Sequence, residues 1–373
     1  MRQGDPNTGL LRKLLRKPSV VIALSIIGLT SFIAVFAYQF APDNTPYANR
    51  MIVELGAKEP GFSKQLLYVP RSIVQDKGGW LSNTFSGTPS DYNTVPLNEY
   101  WFEDNKLYIS HYIDDGITDT LSYLTSSLAT DNSLTPEEQQ DHITNKLIKQ
   151  KTFYLGTDRY GRDILSRLLI GARVSLSVGF IAVLLSITIG IFLGALSGYY
   201  GGVIDNLVMW FINILWAIPT LLLVFAITLT IGKGFWQIFI AIGLTMWVSA
   251  ARLIRGQVMA LKEMEYITAA KALGLKDGRI IVRHILPNIA GPIMVIAASN
   301  FATAILIEAG LSFLGIGVQP PTPSWGLMIK EHFNFLLTNR PLLAIIPGIA
   351  IMLLVYAFNI LGNALRDVLD VRD

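Results

Sequence analysis

Long uncharged apolar windows alternate with polar segments along this chain. At about 1.5 Å per residue, a helix of about 20 apolar residues spans the ~30 Å hydrocarbon layer of a bilayer. Six windows approach or reach that length, and the fourth is the shortest; they are residues 19–40, 174–198, 207–231, 235–251, 289–307 and 342–361. The pattern predicts an all-α polytopic membrane protein with six transmembrane helices.

The composition agrees with this class of protein. Of the 373 residues, 51% are hydrophobic and only 15% are charged, whereas soluble domains carry about 25% charged residues. The net charge of +3 is too small to indicate binding to nucleic acid. The chain has no cysteine, so we expect any part outside the cell membrane to be stable without disulfides.

The first window follows the basic stretch RKLLRK at residues 12–17, as the apolar region of a signal peptide would. The window is longer than such a region, and no convincing small-residue cleavage site follows it. We therefore expect residues 1–18 to form a cytoplasmic tail and residues 19–40 to form an uncleaved anchor. Residues 41–153 are predicted to form an insert, and residues 154–373 a five-helix core with a polar loop at 252–288.

Lysines and arginines in the short loops predict the orientation of the chain. Five lie in the N-terminal tail and seven lie in loop 252–288, whereas the short loops 232–234 and 308–341 hold one and two. We expect both termini and loop 252–288 to be cytoplasmic. The long segment 41–173 is then expected to lie outside the membrane.

The insert has the patterns of both strand and helix. EYWFED, Asn105 and KLYISHY predict two strands joined by a tight turn, because aromatic and β-branched residues favour strands. Thr135 and Glu138 have capping-box spacing with proline between them, and lysines follow where a helix dipole favours cations. We expect a helix near 136–150 and a small α+β subdomain outside the membrane.

Residues 154–176, YLGTDRYGRDILSRLLIGARVSL, lead into the second window. Ile164, Leu165, Leu168 and Leu169 share one helical face, which predicts a short interfacial helix lying against the membrane. An ordinary solvated helix fits the same pattern equally well.

The second window carries a small residue at every fourth position. Small residues let two helix backbones approach closely in lipid, where little hydrophobic force drives helices together. The stripe therefore predicts a tight helix–helix contact, either within this chain or with another subunit. It consists of Ala182, Ser186, Gly190, Gly194 and Gly198.

None of the six windows contains Asp, Glu, Lys, Arg or His. A proton- or ion-coupled carrier usually needs such a group near the bilayer midplane, so the windows argue against that class and against a metal site in the membrane. The histidines are scattered, and each is expected to be neutral and hydrogen-bonded; they are His111, His142, His284 and His332. No GxSxG motif and no GxxxxGK[ST] loop occurs, so we predict no catalytic, cofactor or metal site, and any ATP must be hydrolysed by another chain.

Loop 252–288 contains EYITAAKALGLKDGRIIVRHILP at residues 265–287. Residues 263–273 are compatible with a helix that places Tyr266, Ala269, Ala270 and Leu273 on one face, and Gly274 follows where a helix commonly stops. A second short helix is expected over 277–285, before Pro287. This helix–turn–helix would offer an apolar face to the groove of a partner; a connecting loop with incidental helicity fits the same periodicity.

This stretch resembles the EAA motif of permease subunits in bacterial ATP-binding-cassette importers. That motif reads Glu-Ala-Ala, three residues, Gly, nine residues, and Ile-x-Leu-Pro. Ala269, Ala270, Gly274, Leu286 and Pro287 match it, whereas Thr268 replaces the glutamate and His284 replaces the isoleucine. Glu265, three residues before Thr268, could supply a carboxylate on the same helix face.

Two further blocks are similar to the peptide-type permeases, the dipeptide/oligopeptide/nickel group. They are LGTDRYGRDILSRLLIGARVSL at 155–176 and AGLSFLGIGVQPPTPSWG at 309–326. EYITAAKALG and RHILPN also resemble that group's form of the EAA region, and the likeness covers residues 154–373 and the first anchor by position. It implies a type I importer permease bundle in the bacterial inner membrane.

The resemblance also implies the partners. A sister permease would complete a heterodimer around the path, and two cytoplasmic ATPases would bind ATP and grip the 265–287 stretch. A solute-binding protein outside the membrane would deliver cargo, so no cofactor is expected in this chain. Peptides, nickel and glutathione are all cargoes of the group, and the long insert is closer to an oligopeptide-type variant.

Two other functions are compatible with a membrane protein of this kind. An ATP-independent carrier is disfavoured by the charge-free windows, and a membrane-anchored sensor built on the insert needs one span rather than six. The proline-rich turn VQPPTPSW near 316–326 is stiff, and it fits either a contact with the binding protein or a plain connector.

Overall fold

The computed structural model of the protein describes residues 12–72, 78–129, 134–232, 234–337 and 340–370. Of the predicted cytoplasmic tail, residues 1–11 lie outside this range. The first transmembrane helix is α1 (Pro18–Val35), and the short α2 (Ala37–Phe40) follows it after a break at Phe36.

The insert is built on one antiparallel sheet with short helices between its strands. In chain order its elements are β1 (Phe62–Pro70), α3 (Trp80–Ser86), β2 (Tyr92–Glu103), β3 (Lys106–Asp114), β4 (Ile117–Leu124), α4 (Thr125–Ala129), α5 (Pro136–His142) and β5 (Ile148–Phe153). The strand order is β4-β3-β2-β1-β5. Buried Leu67, Leu97, Leu107 and Ile109 from the sheet pack against Leu128, so alternate strand residues form the core of the insert.

The predicted hairpin is confirmed. Glu103 pairs with Lys106 across a two-residue turn, and both turn residues, Asp104 and Asn105, have positive φ angles of 47° and 57°. Asparagine and aspartate tolerate this left-handed conformation, which matches the twist of the flanking strands.

The helix predicted near 136–150 is right at its start and wrong at its end. Thr135 accepts from the backbone N–H of Glu138, whose side chain accepts from the backbone N–H of Thr135, so the capping box is present. The α-helix stops at His142, and a single wide turn leads into β5. Residues 148–153 are strand because they pair with β1, from Leu67–Ile148 to Phe62–Phe153, a tertiary contact that local helix signals do not contain.

The membrane-embedded part continues from the end of the insert. Its helices are α6 (Ile164–Tyr200), α7 (Gly202–Trp216), α8 (Thr220–Ile231), α9 (Phe235–Lys262), α10 (Glu265–Ala272), α11 (Asp277–Ile280), α12 (Ala290–Phe313), α13 (Trp325–His332) and α14 (Leu342–Asp370). Within the described residues, five helices are long and apolar enough to cross a membrane, and a bent pair of helices makes a sixth if it counts as one span. The chain is therefore a predominantly helical, multi-pass bundle with a small sheet domain.

The bent pair corrects the third window. Residues 207–231 were expected to form one span, but α7 and α8 meet at 93° across the break at Ala217–Pro219. Proline lacks the N–H that would continue the helix and disfavours helical geometry in the residue before it. Hydropathy did not predict this break, because the residues on both sides of it are apolar.

The separate interfacial helix predicted over 154–176 is wrong. Residues 154–163 contain no helix, and α6 then runs without interruption for 37 residues, about 55 Å. The side chain of Asp163 accepts from the backbone N–H of Ser166 and caps its start. Ala48 of the insert packs with Ile170 near the start of α6, and residues 265–287 pack near its other end.

The six windows hold no Asp, Glu, Lys, Arg or His, but several of the helices that contain them do. α9 continues past the fourth window to Lys262, and α12 continues past the fifth window to Phe313. Glu308, one residue beyond that window, is fully buried in α12. Hydropathy windows end at the first charge, whereas a helix ends where its backbone hydrogen bonds end.

Candidate functional site

Residues 265–287 fold as a helix–turn–helix, which we call the elbow. Ile267 and Ala270 of α10 are buried, and they join a cluster with Tyr199 of α6 and with Ile254 and Val258 of α9. The inner face of the elbow is therefore part of the hydrophobic core of the bundle. α10 is therefore packed directly on the ends of α6 and α9.

Gly274 ends the first helix of the elbow. Its φ angle is +75°, its N–H donates to the carbonyl of Lys271 (2.9 Å), and the N–H of Leu275 donates to the carbonyl of Ala270 (3.2 Å). Glycine adopts this left-handed conformation without the strain that a Cβ introduces. The chain then turns into α11, as the sequence pattern predicts.

A hydrogen bond joins the second helix of the elbow to the bundle. The hydroxyl of Tyr199, near the end of α6, donates to Oδ1 of Asp277 at 2.7 Å. The ammonium group of Lys271 lies 5.1 Å from the centre of the Tyr199 ring, within cation–π range. Tyr199 therefore contacts both helices of the elbow.

The outer face of the elbow is exposed and partly apolar. Leu273 is 82% exposed, Val282 is 65% exposed, and Tyr266 is also exposed. The face predicted from periodicity is thus divided: Tyr266, Ala269 and Leu273 point outward, and Ala270 points inward. Exposed apolar side chains on one face commonly mark a protein–protein interface.

The remaining predicted elbow residues lie at two places. Glu265 and Thr268 are exposed on the first two turns of α10, three positions apart, so both side chains are available to one partner. His284 and Leu286 are half-buried and Pro287 is exposed; Leu286 and Pro287 belong to the 3-10 turn that leads into α12.

The five small residues of the predicted stripe are all buried in α6. The three glycines lie against α9. A Cβ added to Gly190 would come 2.6 Å from the Cβ of Ala250. A Cβ added to Gly194 would come 2.5 Å from the Ala251 carbonyl, and one added to Gly198 would come 2.7 Å from the Arg255 carbonyl. Such contacts leave no room for a side chain. The stripe therefore lies within this chain, at the most extensive helix–helix contact of the bundle.

An ion pair that the sequence patterns did not predict closes the same end of the bundle. Asp205 of α7 accepts two hydrogen bonds of 2.5 Å from the guanidinium of Arg255 in α9, and it also accepts from the hydroxyl of Ser197 in α6. The pair is bidentate, the geometry that suits arginine and carboxylate best. It connects α6, α7 and α9 beside the elbow.

The two sequence blocks at 155–176 and 309–326 meet in space at the opposite end. The indole N–H of Trp325 donates to the carbonyl of Leu168 at 2.9 Å, and the absence of a side chain at Gly171 gives the ring room. Just beyond the second block, Glu331 accepts from Arg162 at 2.9 Å and from Arg167 at 3.2 Å. Both blocks thus serve one tertiary contact between α6 and α13.

Asp158, Glu331 and His332 could present three metal-ligand atoms within 4.8 Å of one another. The carboxylates of this group are already neutralised, since Arg162 lies 2.5 Å from Asp158 and 2.9 Å from Glu331, and Arg167 also pairs with Glu331. A divalent cation would add two charges to a buried and balanced cluster, which is costly. The residues therefore fit a structural ion-pair network better than a metal centre.

Glu308 belongs to a polar network inside the bundle. Its Oε1 accepts from Ser312 at 2.7 Å, and the Ser312 hydroxyl accepts from the backbone N–H of Val318 at 3.1 Å. Ser324, which caps α13, lies 3.5 Å from Ser312. The network joins α12 to the turn that carries the three prolines, a role that the windows could not predict because they excluded Glu308.

Comparisons with known proteins agree with this arrangement. The family model described as "Binding-protein-dependent transport system inner membrane component" matches residues 186–372. A dipeptide transport system permease protein, DppC, from Alkalihalophilus pseudofirmus is 46% identical over 217 residues, which cover 58% of this chain and 71% of that protein.

Two further relatives have different cargoes in their names. The oligopeptide permease OppC of Bacillus subtilis is 40% identical over 235 residues, 62% of this chain and 77% of OppC. The glutathione permease GsiD of Pectobacterium atrosepticum is 42% identical over 217 residues, 58% of this chain and 72% of GsiD. A chain of the MetNI methionine ABC transporter in an inward-facing conformation aligns with 20% identity and a TM-score of 0.44, over 54% of this chain and 96% of that one. The family match and the identities to the three permeases establish that this protein belongs to the inner membrane components of binding-protein-dependent transport systems.

Proposed function

We propose that this protein is one permease subunit of an ATP-driven importer that carries short peptides across the bacterial inner membrane. The observation that carries the proposal is the two-faced elbow. Its inner face is packed on α6 and α9 through Ile267 and Ala270, and its outer face leaves Leu273 and Tyr266 exposed. A partner that grips the outer face can move the membrane helices.

We propose that the partner on this surface is one of two cytoplasmic ATPase subunits. Seven lysines and arginines in residues 252–288 support a cytoplasmic position for the elbow. The N- and C-termini then lie on the same side, and the sheet domain lies outside. A sister permease would complete the path, and a solute-binding protein would deliver cargo on the side of the insert.

In the proposed mechanism, ATP binds to the partner subunits and does not react within this chain. Closure of the ATPase pair displaces α10, and the displacement passes through Ala270 to α9 and through the Tyr199–Asp277 hydrogen bond to α6. If the bundle has two conformations, changing their population ratio from 1:99 to 99:1 requires the partner to bind one conformation about 5.5 kcal/mol more tightly than the other. A rigid inner face lets that energy reach the helices instead of deforming the elbow.

The test uses the full chain expressed together with its partner subunits. Leu273→Glu places a charge on the outer face without disturbing the core, and we expect it to abolish ATPase co-purification and cargo-stimulated ATP hydrolysis while membrane insertion persists. Leu337→Glu is the matched control, because Leu337 is 92% exposed and lies in the turn before α14, far along the sequence from the elbow. It should retain the ATPases.

Normal ATPase binding by Leu273→Glu would contradict the proposal, as would labelling of residue 273 from outside intact cells. Ala269→Glu should reproduce the loss, since Ala269 is also exposed. Ala270→Glu should instead reduce the amount of folded protein, because Ala270 lies in the core.

Peptide cargo rests on the names of the relatives, of which two transport dipeptides or oligopeptides. Glutathione, itself a tripeptide, is the second candidate, because GsiD is as similar to this chain as the peptide permeases are. Uptake of labelled dialanine in competition with unlabelled glutathione distinguishes the two. If neither compound is taken up, the peptide assignment is wrong while the ATPase test remains valid.

A further inference from the structure

An apolar groove of about 490 Å³ opens between α1, α6, α12 and α14. Phe301 and Phe358 stack at its base with ring centres 4.0 Å apart, and Gly179 gives Phe301 room to approach α6. Phe180, 64% exposed, forms one wall. The groove is lined by helices long and apolar enough to cross a membrane, which is the part of a protein that hydrocarbon chains surround.

One basic residue, Arg173, lies at one end of this groove. On α6 the lining residues are Arg173, Leu176, Ser177, Phe180 and Ile181, which recur at the three- and four-residue spacing of a single helix face. The stripe from Arg173 to Ile181 is about 12 Å long. It is charged at one end and almost wholly apolar along the rest.

All the hydrogen-bond acceptors of Arg173 are neutral. Its Nε donates to the carbonyl of Ala34 (2.7 Å), its Nη2 donates to the carbonyls of Val35 (2.8 Å) and Thr84 (3.1 Å), and its Nη1 donates to that of Phe85 (2.8 Å). A guanidinium has five N–H groups, so these four bonds leave one N–H of Nη1 over. Among the residues that the structure describes, no carboxylate forms an ion pair with Arg173.

The carbonyls place the guanidinium at the end of α1, where the first transmembrane helix stops. We expect this to be the depth of the lipid headgroups, because arginine side chains near the ends of membrane helices reach that level. A phosphate there would accept the remaining N–H and neutralise the charge. The attached acyl chain would then run along Leu176 and Phe180 into the groove.

We infer that this groove is a binding site for one anionic phospholipid of the leaflet on the side of the insert. Its phosphate contacts Arg173, and one acyl chain lies over Phe301 and Phe358. The site links α1 and the α3 helix of the insert to α6, because the Arg173 guanidinium already donates to carbonyls in the last turns of both helices. The inference is independent of the cargo.

The experiment places the full chain in nanodiscs of equal phosphatidylglycerol and phosphatidylcholine, followed by mild detergent extraction and mass spectrometry of the retained lipid. We expect phosphatidylglycerol to exceed phosphatidylcholine about fivefold, the preference that one basic side chain gives near a membrane surface. Arg173→Gln should remove the preference. Arg340 is a basic residue just before α14, and the control variant Arg340→Gln should keep the preference for phosphatidylglycerol.

Ser177→Trp fills the groove and leaves Arg173 in place, so it should lower retention of both lipids even if Arg173→Gln fails to fold. A photo-crosslinking amino acid at Phe180, tested in native membranes, identifies the occupant directly. A lipid adduct supports the inference. A protein adduct, equal retention of the two lipids by the wild type, or unchanged retention by Ser177→Trp would overturn it.

Discussion

The hydroxyl of Tyr199 lies 2.7 Å from a carboxylate oxygen of Asp277, and this bond links the long helix α6 to the second helix of the elbow. Tyr199 is almost completely buried, so the bond is shielded from competing water on one side. A tyrosine at the end of a 37-residue helix is thus in direct contact with the segment proposed to bind the motor subunit.

Tyr199→Phe should uncouple the elbow from α6 while preserving its packing. A hydrogen bond to a charged group contributes about 1.5 kcal/mol, so its loss is expected to lower cargo-stimulated ATP hydrolysis about tenfold. Tyr200→Phe is the control, because Tyr200 is exposed and contacts Tyr199 by ring packing alone among the bonds described. Equal activities of the two variants in reconstituted importer would refute the role of the hydroxyl.

Two glycines of the elbow should respond in opposite directions to alanine. A Cβ on Gly274 or on Gly278 meets no atom within 4 Å, but only Gly274 has a positive φ angle. Gly274→Ala should destabilise the elbow by about 1 kcal/mol, and Gly278→Ala, within α11, should stabilise it by about 0.5–1 kcal/mol. Hydrogen exchange of the Leu275 N–H reports the change; faster exchange in both variants would show that φ is not the cause.

The contact between α6 and α9 should not tolerate one added methyl group. Gly194→Ala brings a Cβ to 2.5 Å from the Ala251 carbonyl, and overpacking of this kind costs about 1–3 kcal/mol. Gly256→Ala in α9 is the control, since its Cβ meets no atom within 4 Å. Denaturant unfolding in micelles measures the free energy of unfolding of both variants. If Gly194→Ala is as stable as the control, close contact between α6 and α9 at Gly194 is refuted.

Stability should fall on mild acidification because of His332. Burial lowers the pKa of His332 below its ordinary value of 6.5, although Asp158 and Glu331 oppose the shift. The unfolded chain therefore binds the proton more readily than the folded chain does. The contribution of His332 to the free energy of unfolding is fully present above pH 6.5, and it is lost as the pH falls below that value. Thermal melting from pH 8 to pH 5 should show this loss, and His332→Gln should reduce it; an unchanged profile would assign the loss to other groups.

Local sequence signals predicted the elements whose cause is local. The turn at Asp104–Asn105 and the capping box at Thr135 depend on residues within four positions of one another, and both are present. The break at Pro219 had a local signal as well, which the apolar character of the window outweighed. Proline alone would not have decided the matter, because Pro347 lies inside the continuous helix α14.

Residues that function through distant contacts were predicted less well. Glu308 fell outside its window although it lies inside a membrane helix, and Asp205 and Arg255 are 50 residues apart in sequence although their side chains form two hydrogen bonds. Spacing along the chain carries no information about such a pair. The Arg162 and Arg167 contacts with Glu331 are missed for the same reason.

The sequence by itself determined that the chain enters a membrane, that it resembles importer permeases, and that the first helix of its elbow stops at Gly274, because hydropathy and backbone conformation are local properties. The tertiary structure alone decided that Ala270 faces the core and Ala269 faces outward, and that the glycine stripe contacts α9. Adjacent alanines are chemically identical, and only the position of the neighbouring helices distinguishes one from the other.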